Sequence, residues 1–440
     1  MNSHPAGGSI LAATGLSVRY PRSVRPVLRD IEMTVRSGEV VGLTGHSGSG
    51  KTSLLHAVAG LIPWVTPARV TGGVVLDGEP VDELDPGQRA HLIATCLDRP
   101  EAQLFLATVG QELGAARRLY GGNPFLDEVV DGLALRPLLA RRVTELSSGE
   151  RQRVALAVTL AGCPRPVLLD EPTAHLDSAG EAVLVDLLIR AREMGTPVVL
   201  TEQAGWRVEP AVSDWYEVGE GRLGRTAAPR VPVVSPLEHD PGAETVLRCR
   251  GVRVVRGGRT LVDNVDLDLR EREVVLLSGP NGGGKSTFAR VLAGLTAPGG
   301  GEIRRTLRVG LMLPESDLQL FASTVAGEVS VAGTSQGERA RVLRRHRLDH
   351  LAARAPWSLS RGEQQRLVHA SLDIRRPGVM IVDEPAQGLD SRDVSELLEL
   401  VHRRSAKGRA YVIISHRPEL GAFAHRHLVL EGGRVEEVEP

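Results

Sequence analysis

Cysteine is scarce in this chain: Cys96, Cys163 and Cys249 are the three in 440 residues. They are scattered, with no paired spacing that would frame a zinc site or a disulfide network. A reduced, cytoplasmic setting is therefore the expectation. No apolar run approaches the roughly 18 to 20 residues needed to span a bilayer, and the first residues lack a basic-then-apolar leader. Any work at a membrane would pass through a protein partner. An excess of either charge is also missing, since 53 Lys and Arg face 54 Asp and Glu for a formal net charge of -1. No global basic field draws the chain to nucleic acid or anionic lipid, so nucleic acid is not an expected partner. Length adds one bound: at roughly 150 residues per domain, 440 residues allow two or three domains.

What is present is duplicated. Gly45-His46-Ser47-Gly48-Ser49-Gly50-Lys51-Thr52 and Gly279-Pro280-Asn281-Gly282-Gly283-Gly284-Lys285-Ser286 each follow a buried-strand pattern, from Glu39 to Thr44 and from Glu273 to Ser278. Each precedes a helix-like segment, Ser53 to Leu61 and Thr287 to Leu295. Strand, glycine-rich loop and helix in that order are the context a phosphate-binding loop requires. Its glycines (Gly45, Gly48, Gly50; Gly279, Gly282, Gly284) let successive N–H groups and a helix N-terminus face phosphate. Lys51 or Lys285 would reach the β and γ oxygens, and the hydroxyl of Thr52 or Ser286 would ligate Mg²⁺. The expected cofactors are ATP and Mg²⁺.

Downstream of each loop an apolar run ends in two acids, Val167 to Asp170-Glu171 and Met380 to Asp383-Glu384. A buried strand would deliver these carboxylates to a sheet edge. Asp170 and Asp383 would hold Mg²⁺, while Glu171 and Glu384 would orient and polarise an attacking water. The two copies lie 234 residues apart at the lysines and 213 apart further on, so the second is about 21 residues shorter between those points. Much of the difference falls in 62–86, which is rich in turn residues. The proline-rich stretch 225–244 reads as a linker, which places one domain at 1–224 and a second at 245–440. Alternating β-rich and helical segments predict an α/β core with a mainly parallel sheet in each.

Between loop and acids lie Leu146-Ser147-Ser148-Gly149-Glu150 and Leu359-Ser360-Arg361-Gly362-Glu363, each opening a helical pattern. They resemble the Leu-Ser-Gly-Gly-Gln signature of ABC-type ATPases, departing from it at Ser148 and Arg361. Residue by residue, the likeness covers nearly the whole chain except the linker. It implies two tandem P-loop NTPase domains of ABC type, each with an added antiparallel β subdomain and a helical subdomain. It also implies two composite sites within one molecule, where Ser147 and Gly149, or Ser360 and Gly362, close over the γ-phosphate on the other half's loop. Asp177 and Asp390 match the D-loop aspartate, and His416 matches the switch histidine, which contacts the γ-phosphate and the attacking water. Gln203 stands at the histidine's place in the first half and cannot carry its charge or proton. The second site is accordingly expected to do most of the hydrolysis. Tyr20 resembles the aromatic residue that stacks on adenine; Arg256 is its weaker counterpart.

One stretch narrows the resemblance. Gln103-Leu104-Phe105 followed by Thr108-Val109 and Glu112 recurs as Gln319-Leu320-Phe321, Thr324-Val325 and Glu328. This is similar to the energy-coupling-factor and cobalt/nickel-type ATPases. That likeness implies uptake of a vitamin or metal ion through a membrane scaffold subunit and a substrate-binding membrane subunit, with this chain peripheral on the cytoplasmic face. The usual loop glutamine is absent, its place taken by Asp98 and Pro314. Another ABC importer or exporter, a nucleotide-binding regulator, and a soluble twin ATPase acting on ribosomes or DNA stay open as alternatives.

Overall fold

The computed structural model describes residues 10–21, 23–46, 48–203, 207–229, 240, 242–314, 316–385, 389, 391–415 and 418–438. The chain forms two compact units, Met1–Arg230 and Val231–Pro440. The division falls inside the proline-rich stretch 225–244.

The first unit opens with an antiparallel sheet ordered β2-β1-β4-β5, made of β1 (Leu11–Arg19), β2 (Leu28–Val35), β4 (Arg69–Leu76) and β5 (Glu79–Pro80). In β1 the buried residues change parity, from Leu11 and Ala13 to Leu16 and Val18. A one-residue slip would normally turn the second pair outward. A register shift between Thr14 and Ser17 against β4 corrects it, and Gly15 supplies the left-handed backbone at φ 56. Opposite it, a Cβ on Gly72 would sit 2.2 Å from the Gly15 carbonyl oxygen, so the bulge needs a glycine on both strands. The segment 62–86 thus contributes strands β4 and β5 to this sheet rather than a long loop.

Behind it stands a six-stranded sheet ordered β10-β9-β3-β8-β7-β6, from β3 (Val40–Thr44), β6 (Ala94–Cys96), β7 (Val167–Asp170), β8 (Val198–Thr201), β9 (Asp214–Gly219) and β10 (Arg222–Thr226). Pairing is parallel except for the β9–β10 hairpin. β7 and β8 are buried at every residue, the pattern of parallel strands covered on both faces. β10 reaches Thr226, two residues into the stretch read as linker. Helices Val109–Tyr120, Phe125–Gly132 and Ser148–Leu160 pack on one another as a helical layer around Leu113, Val129 and Leu156.

The second unit repeats the plan. Its antiparallel sheet is β12-β11-β14, from β11 (Thr245–Arg256), β12 (Arg259–Arg270) and β14 (Gly300–Arg305). The same bulge returns, with Gly251 at φ 57 and a Cβ on Gly301 falling 2.3 Å from the Gly251 carbonyl oxygen. The larger sheet is β15-β16-β17-β13-β18-β19, from β13 (Val274–Ser278), β15 (Val309–Met312), β16 (Val379–Asp383), β17 (Ala410–Ile414), β18 (Arg426–Glu431) and β19 (Arg434–Val438). In each unit the strand before the phosphate loop and the strand ending in acids flank one other strand. All three carboxyl ends therefore open on the same sheet edge, where α/β proteins bind ligands.

The loop helices begin at the lysines, Lys51–Val58 and Lys285–Leu292, two residues before the sequence pattern starts. Gly50 and Gly284, at φ 112 and 99, set the turn that lets them begin there. Phe288 is wholly buried between the two sheets of its unit, against Val275, Leu277 and Val412. Phe288→Ala is expected to lower unfolding stability by about 3–5 kcal/mol in urea titration; a loss below about 1 kcal/mol would contradict this packing.

Candidate nucleotide sites

Both phosphate loops are held against the following β-hairpin by a glycine that admits no side chain. Gly45 (φ 142) would place a Cβ 2.5 Å from the Val218 carbonyl oxygen, and Gly279 (φ 137) would place one 2.2 Å from that of Leu430. Gly48 and Gly282 turn at φ 78 and 76. Inside each curl the lysine is buried and caps the loop's own carbonyls. Lys51 Nζ donates to the oxygens of Gly45 at 2.7 Å and His46 at 3.2 Å. Lys285 Nζ donates to those of Gly279 at 2.7 Å and Pro280 at 3.0 Å. Tyr20 is half-buried, and its hydroxyl meets the Ser53 hydroxyl at 2.9 Å on the first loop helix. Arg256 is exposed at the end of β11.

The two aspartates are 1 % exposed, yet their carboxylates are poorly satisfied. Asp170 Oδ1 accepts from Thr201 Oγ1 at 2.5 Å and Thr52 Oγ1 at 3.3 Å. Its Oδ2 has no hydrogen-bond partner among the described residues, and neither do both oxygens of Asp383. Burial pushes both acids up, Asp383 to about 6 despite the opposing pull of the Ser286 hydroxyl beside it. Asp98 adds a like charge to the first site and raises Asp170 further. Buried, partnerless carboxylate oxygens next to a Thr or Ser hydroxyl are a donor set suited to a hard divalent cation. The residues therefore fit Mg²⁺ bound with phosphate on the loop.

Glu171 and Glu384, the next residues, take left-handed backbone at φ 47 and 49. Such angles are unusual without glycine. Each is held there by a backbone hydrogen bond: Glu171 N–H donates to Thr201 Oγ1 at 2.9 Å, and Glu384 N–H to the Ile414 carbonyl at 2.8 Å. Gln203 Nε2 donates to Glu171 Oε1, whereas Ser415 Oγ lies 3.4 Å from Glu384 Oε2. His416 and Asp390 lie outside the described residues.

Thr201 binds both acids of the first site, and sequence reading passed over it. A hydroxyl ending the apolar run Val198–Thr201 beside the acid strand was the available signal. The position 213 residues on is Ile414, which has no hydroxyl to offer Asp383. Glu202 was missed as well: it is 3 % exposed and accepts from the Thr173 N–H at 3.2 Å, just past the acid pair.

Both signature serines are helix caps. Ser147 Oγ accepts from Glu150 N–H at 3.2 Å while Glu150 Oε2 accepts from Ser147 N–H at 2.7 Å. Ser360 and Glu363 repeat the box at 3.3 and 2.8 Å. This reciprocal cap explains the glutamate that follows each signature glycine. Gly149 and Gly362 lie in the first helical turn, and a Cβ on Gly362 would fall 2.4 Å from Asp393 Oδ2. Arg361 is exposed. Asp177 caps its own helix by accepting from Gly180 N–H at 2.9 Å.

The ABC transporter family model matches residues 28–174 and 262–387, and the chain belongs to that family. An ABC transporter ATP-binding protein, so named provisionally, from Methanosarcina mazei is 29% identical over 468 residues, covering 96% of this chain and 93% of that one. One from Streptomyces avermitilis is 30% identical over 515 residues, covering 96% and 92%. A Bacillus subtilis protein provisionally named as an HMP/thiamine import ATP-binding protein is 29% identical over 492 residues, covering 96% and 90%. Among solved structures, the archaeal ribosome recycling factor in complex with a ribosomal stalk protein superposes with TM-score 0.73 at 20% identity, covering 96% and 89%. The RNase-L inhibitor does so with TM-score 0.72 at 21%, covering 95% and 89%. At that identity these last two show the fold alone. The chain is an ATP hydrolase of the ABC class, using ATP and Mg²⁺.

Asp383 has its pKa raised from 3.8 to about 6, so the native state binds more protons than the unfolded chain between those values. Stability contributed here falls as pH rises through that window. Asp383→Asn is expected to stabilise the Mg²⁺-free chain at pH 7 by roughly 1–3 kcal/mol while removing Mg²⁺-dependent nucleotide binding at that site. A destabilised variant, measured by thermal unfolding in chelator, would refute the reading.

Proposed function

We propose that this chain is the ATP-hydrolysing subunit of an energy-coupling-factor type importer, taking up a vitamin or metal ion through separate membrane subunits. It would work at the cytoplasmic face, held there by protein contacts. The observation that carries this reading is a pair of exposed phenylalanines, Phe105 at 80% and Phe321 at 86% exposure, each set on a loop whose other motif residues are internally engaged. Gln103 Oε1 accepts from Leu97 N–H at 2.7 Å, and Gln319 Oε1 from Leu313 N–H at 2.7 Å. Thr108 and Thr324 cap the next helix, and Val109 and Val325 are wholly buried. Glu112 reaches back to Leu106 N–H, and Glu328 to the N–H groups of Phe321 and Ala322. Every polar group shared by the two copies thus stiffens the loop, and the aromatic ring is left exposed. A rigidly presented ring is a docking anchor for an apolar helix of a partner. The import role in the name of the Bacillus relative supports the same reading. Glycine spacing, Lys51 and Lys285 would orient the phosphates, Thr52 with Asp170 and Ser286 with Asp383 would hold Mg²⁺, and Glu171 and Glu384 would take up the proton of the attacking water. Mg²⁺ supplies charge neutralisation on the phosphate oxygens.

Co-purification with a polytopic scaffold protein from detergent-solubilised membranes tests the docking reading. Phe105→Ala with Phe321→Ala is expected to cut recovery about tenfold or more while leaving Mg-ATP binding intact. Undiminished recovery, or recovery of ribosomes in place of the scaffold, would overturn it.

The two sites are also proposed to be unequal, the second doing most of the hydrolysis. In the first, the Gln203 amide occupies Glu171. Glu384→Gln is expected to abolish steady-state turnover, about 100-fold or more, and Glu171→Gln to spare most of it; the reverse ranking would sink the proposal.

A further inference from the structure

The opposite sheet edge of the second unit carries a cationic groove. Its lining includes the residues just before β16 (Pro377, Gly378) and β17 (Arg409), so it lies at the amino ends of strands whose carboxyl ends face the phosphate loop. The cavity measures about 440 Å³. Arg341, Arg345, Arg376, Arg404, Lys407 and Arg409 line it against three acids, Glu271, Glu338 and Asp373.

The acids do not account for the cations. Asp373 has a fully buried side chain, and it serves three guanidinium groups at once: Arg409 at 2.8 Å, Arg345 at 3.0 Å and Arg404. Glu338 is engaged with Arg376 at 2.6 Å. The side chains of Arg404 and Arg409 are only 15% and 9% exposed, and Arg404 Nε is buried with no partner among the described residues. Lys407 at the rim is exposed and has no ion pair among the described residues. Guanidinium groups taken this far from water are normally matched by anionic oxygens. Arg345 is 41% exposed and Arg409 Nε also donates to the Pro377 carbonyl at 2.9 Å, so the match is left incomplete at Arg404, whose Nε is buried without an acceptor among the described residues.

The repeat shows that the fold does not require this cluster. Counting back 213 residues from Arg341, Arg345, Asp373, Arg404, Lys407 and Arg409 gives Glu128, Gly132, Leu160, Ala191, Met194 and Thr196. Leu160 is a wholly buried member of the first unit's apolar core. None of the six places in the first half carries a cation, and where the buried Asp373 and Arg404 stand the first half has Leu160 and Ala191, both buried and apolar.

Lysine usage singles out the same spot. Of the 53 basic residues only Lys51, Lys285 and Lys407 are lysines. Two of them sit in phosphate loops, and the third sits in this groove. A lysine ammonium acts as a compact point charge for phosphate where arginines supply forked contacts.

We propose that this groove binds a free polyvalent phosphate anion of the pyrophosphate class, with Arg404 and Arg409 at its floor and Arg341 and Lys407 at its rim. The test uses the full chain carrying Lys51→Ala and Lys285→Ala in Mg²⁺-free buffer, which disables the phosphate loops and leaves Lys407 as the only lysine. Saturating pyrophosphate is expected to slow amine acylation of Lys407, followed by mass spectrometry, by about fivefold or more. Calorimetry on the same chain is expected to show one pyrophosphate site, weakened about tenfold or more when the exposed pair Arg341→Ala and Lys407→Ala is added. Unchanged acylation, or an affinity that this pair does not alter, would overturn the proposal.

Discussion

The structure is organised around an aspartate that each parallel sheet buries at a strand end without satisfying it. Asp170 and Asp383 are delivered there by strands with no exposed residue, and moving a carboxylate out of water costs more than a single hydroxyl returns. The phosphate loop beside it has the complementary problem, with N–H groups and a buried lysine converging on one curl. The lysine's bonds to loop carbonyls hold the curl in shape, but only a ligand combining anion and divalent cation satisfies both sides. Binding and folding are coupled through this shortfall, and the glutamates that follow are held in left-handed turns by the same strand ends.

The duplicated plan does not distribute that shortfall evenly. In the first site Thr201 donates to Asp170 and accepts from Glu171 N–H; in the second, Ile414 offers only its backbone carbonyl to Glu384. The second aspartate is therefore the more deprived of the pair. Asp98 works against this in the first site by adding a like charge near Asp170, and Pro314 has no charge to add in the second. The proposed inequality of the sites thus rests on two separate positions around each acid pair, in addition to Gln203.

Much of this was legible in the sequence because local chemistry dictates it. A glycine-rich turn between a buried strand and a helix, or two acids ending an apolar run, has few other physical uses, and duplication in register removed most of the remainder. The larger misreadings came where tertiary pairing decides. The segment 62–86 looked like turns because β4 carries Gly72 and Gly73, yet Gly72 is there to let β1 approach at the bulge. Loop helices start two residues early because the glycine conformation, invisible in composition, sets the first turn. Thr201 escaped notice because a threonine at a strand end looks like ordinary β-propensity; only the neighbouring strand gives its hydroxyl a task. The signature serines show the opposite case, where the modest reading of a capped helix and the phosphate-facing reading describe one turn.

The charged groove extends the divergence to the second unit's other sheet edge. A buried ion cluster is weak support for stability, since apolar residues of similar volume often serve equally well or better. Here the first unit provides that comparison within one chain: Leu133, Leu156 and Leu160 fill its core where His346, His369 and Asp373 stand in the second. Both ring nitrogens of His369 are buried without partners among the described residues, and burial lowers its pKa to about 3, so it remains neutral and adds no charge to the cluster. Packing therefore does not explain why arginines converge on this one aspartate. A requirement for anionic oxygen supplied from solution does, and it accounts for the lysine at the rim in a chain that otherwise keeps lysine for phosphate.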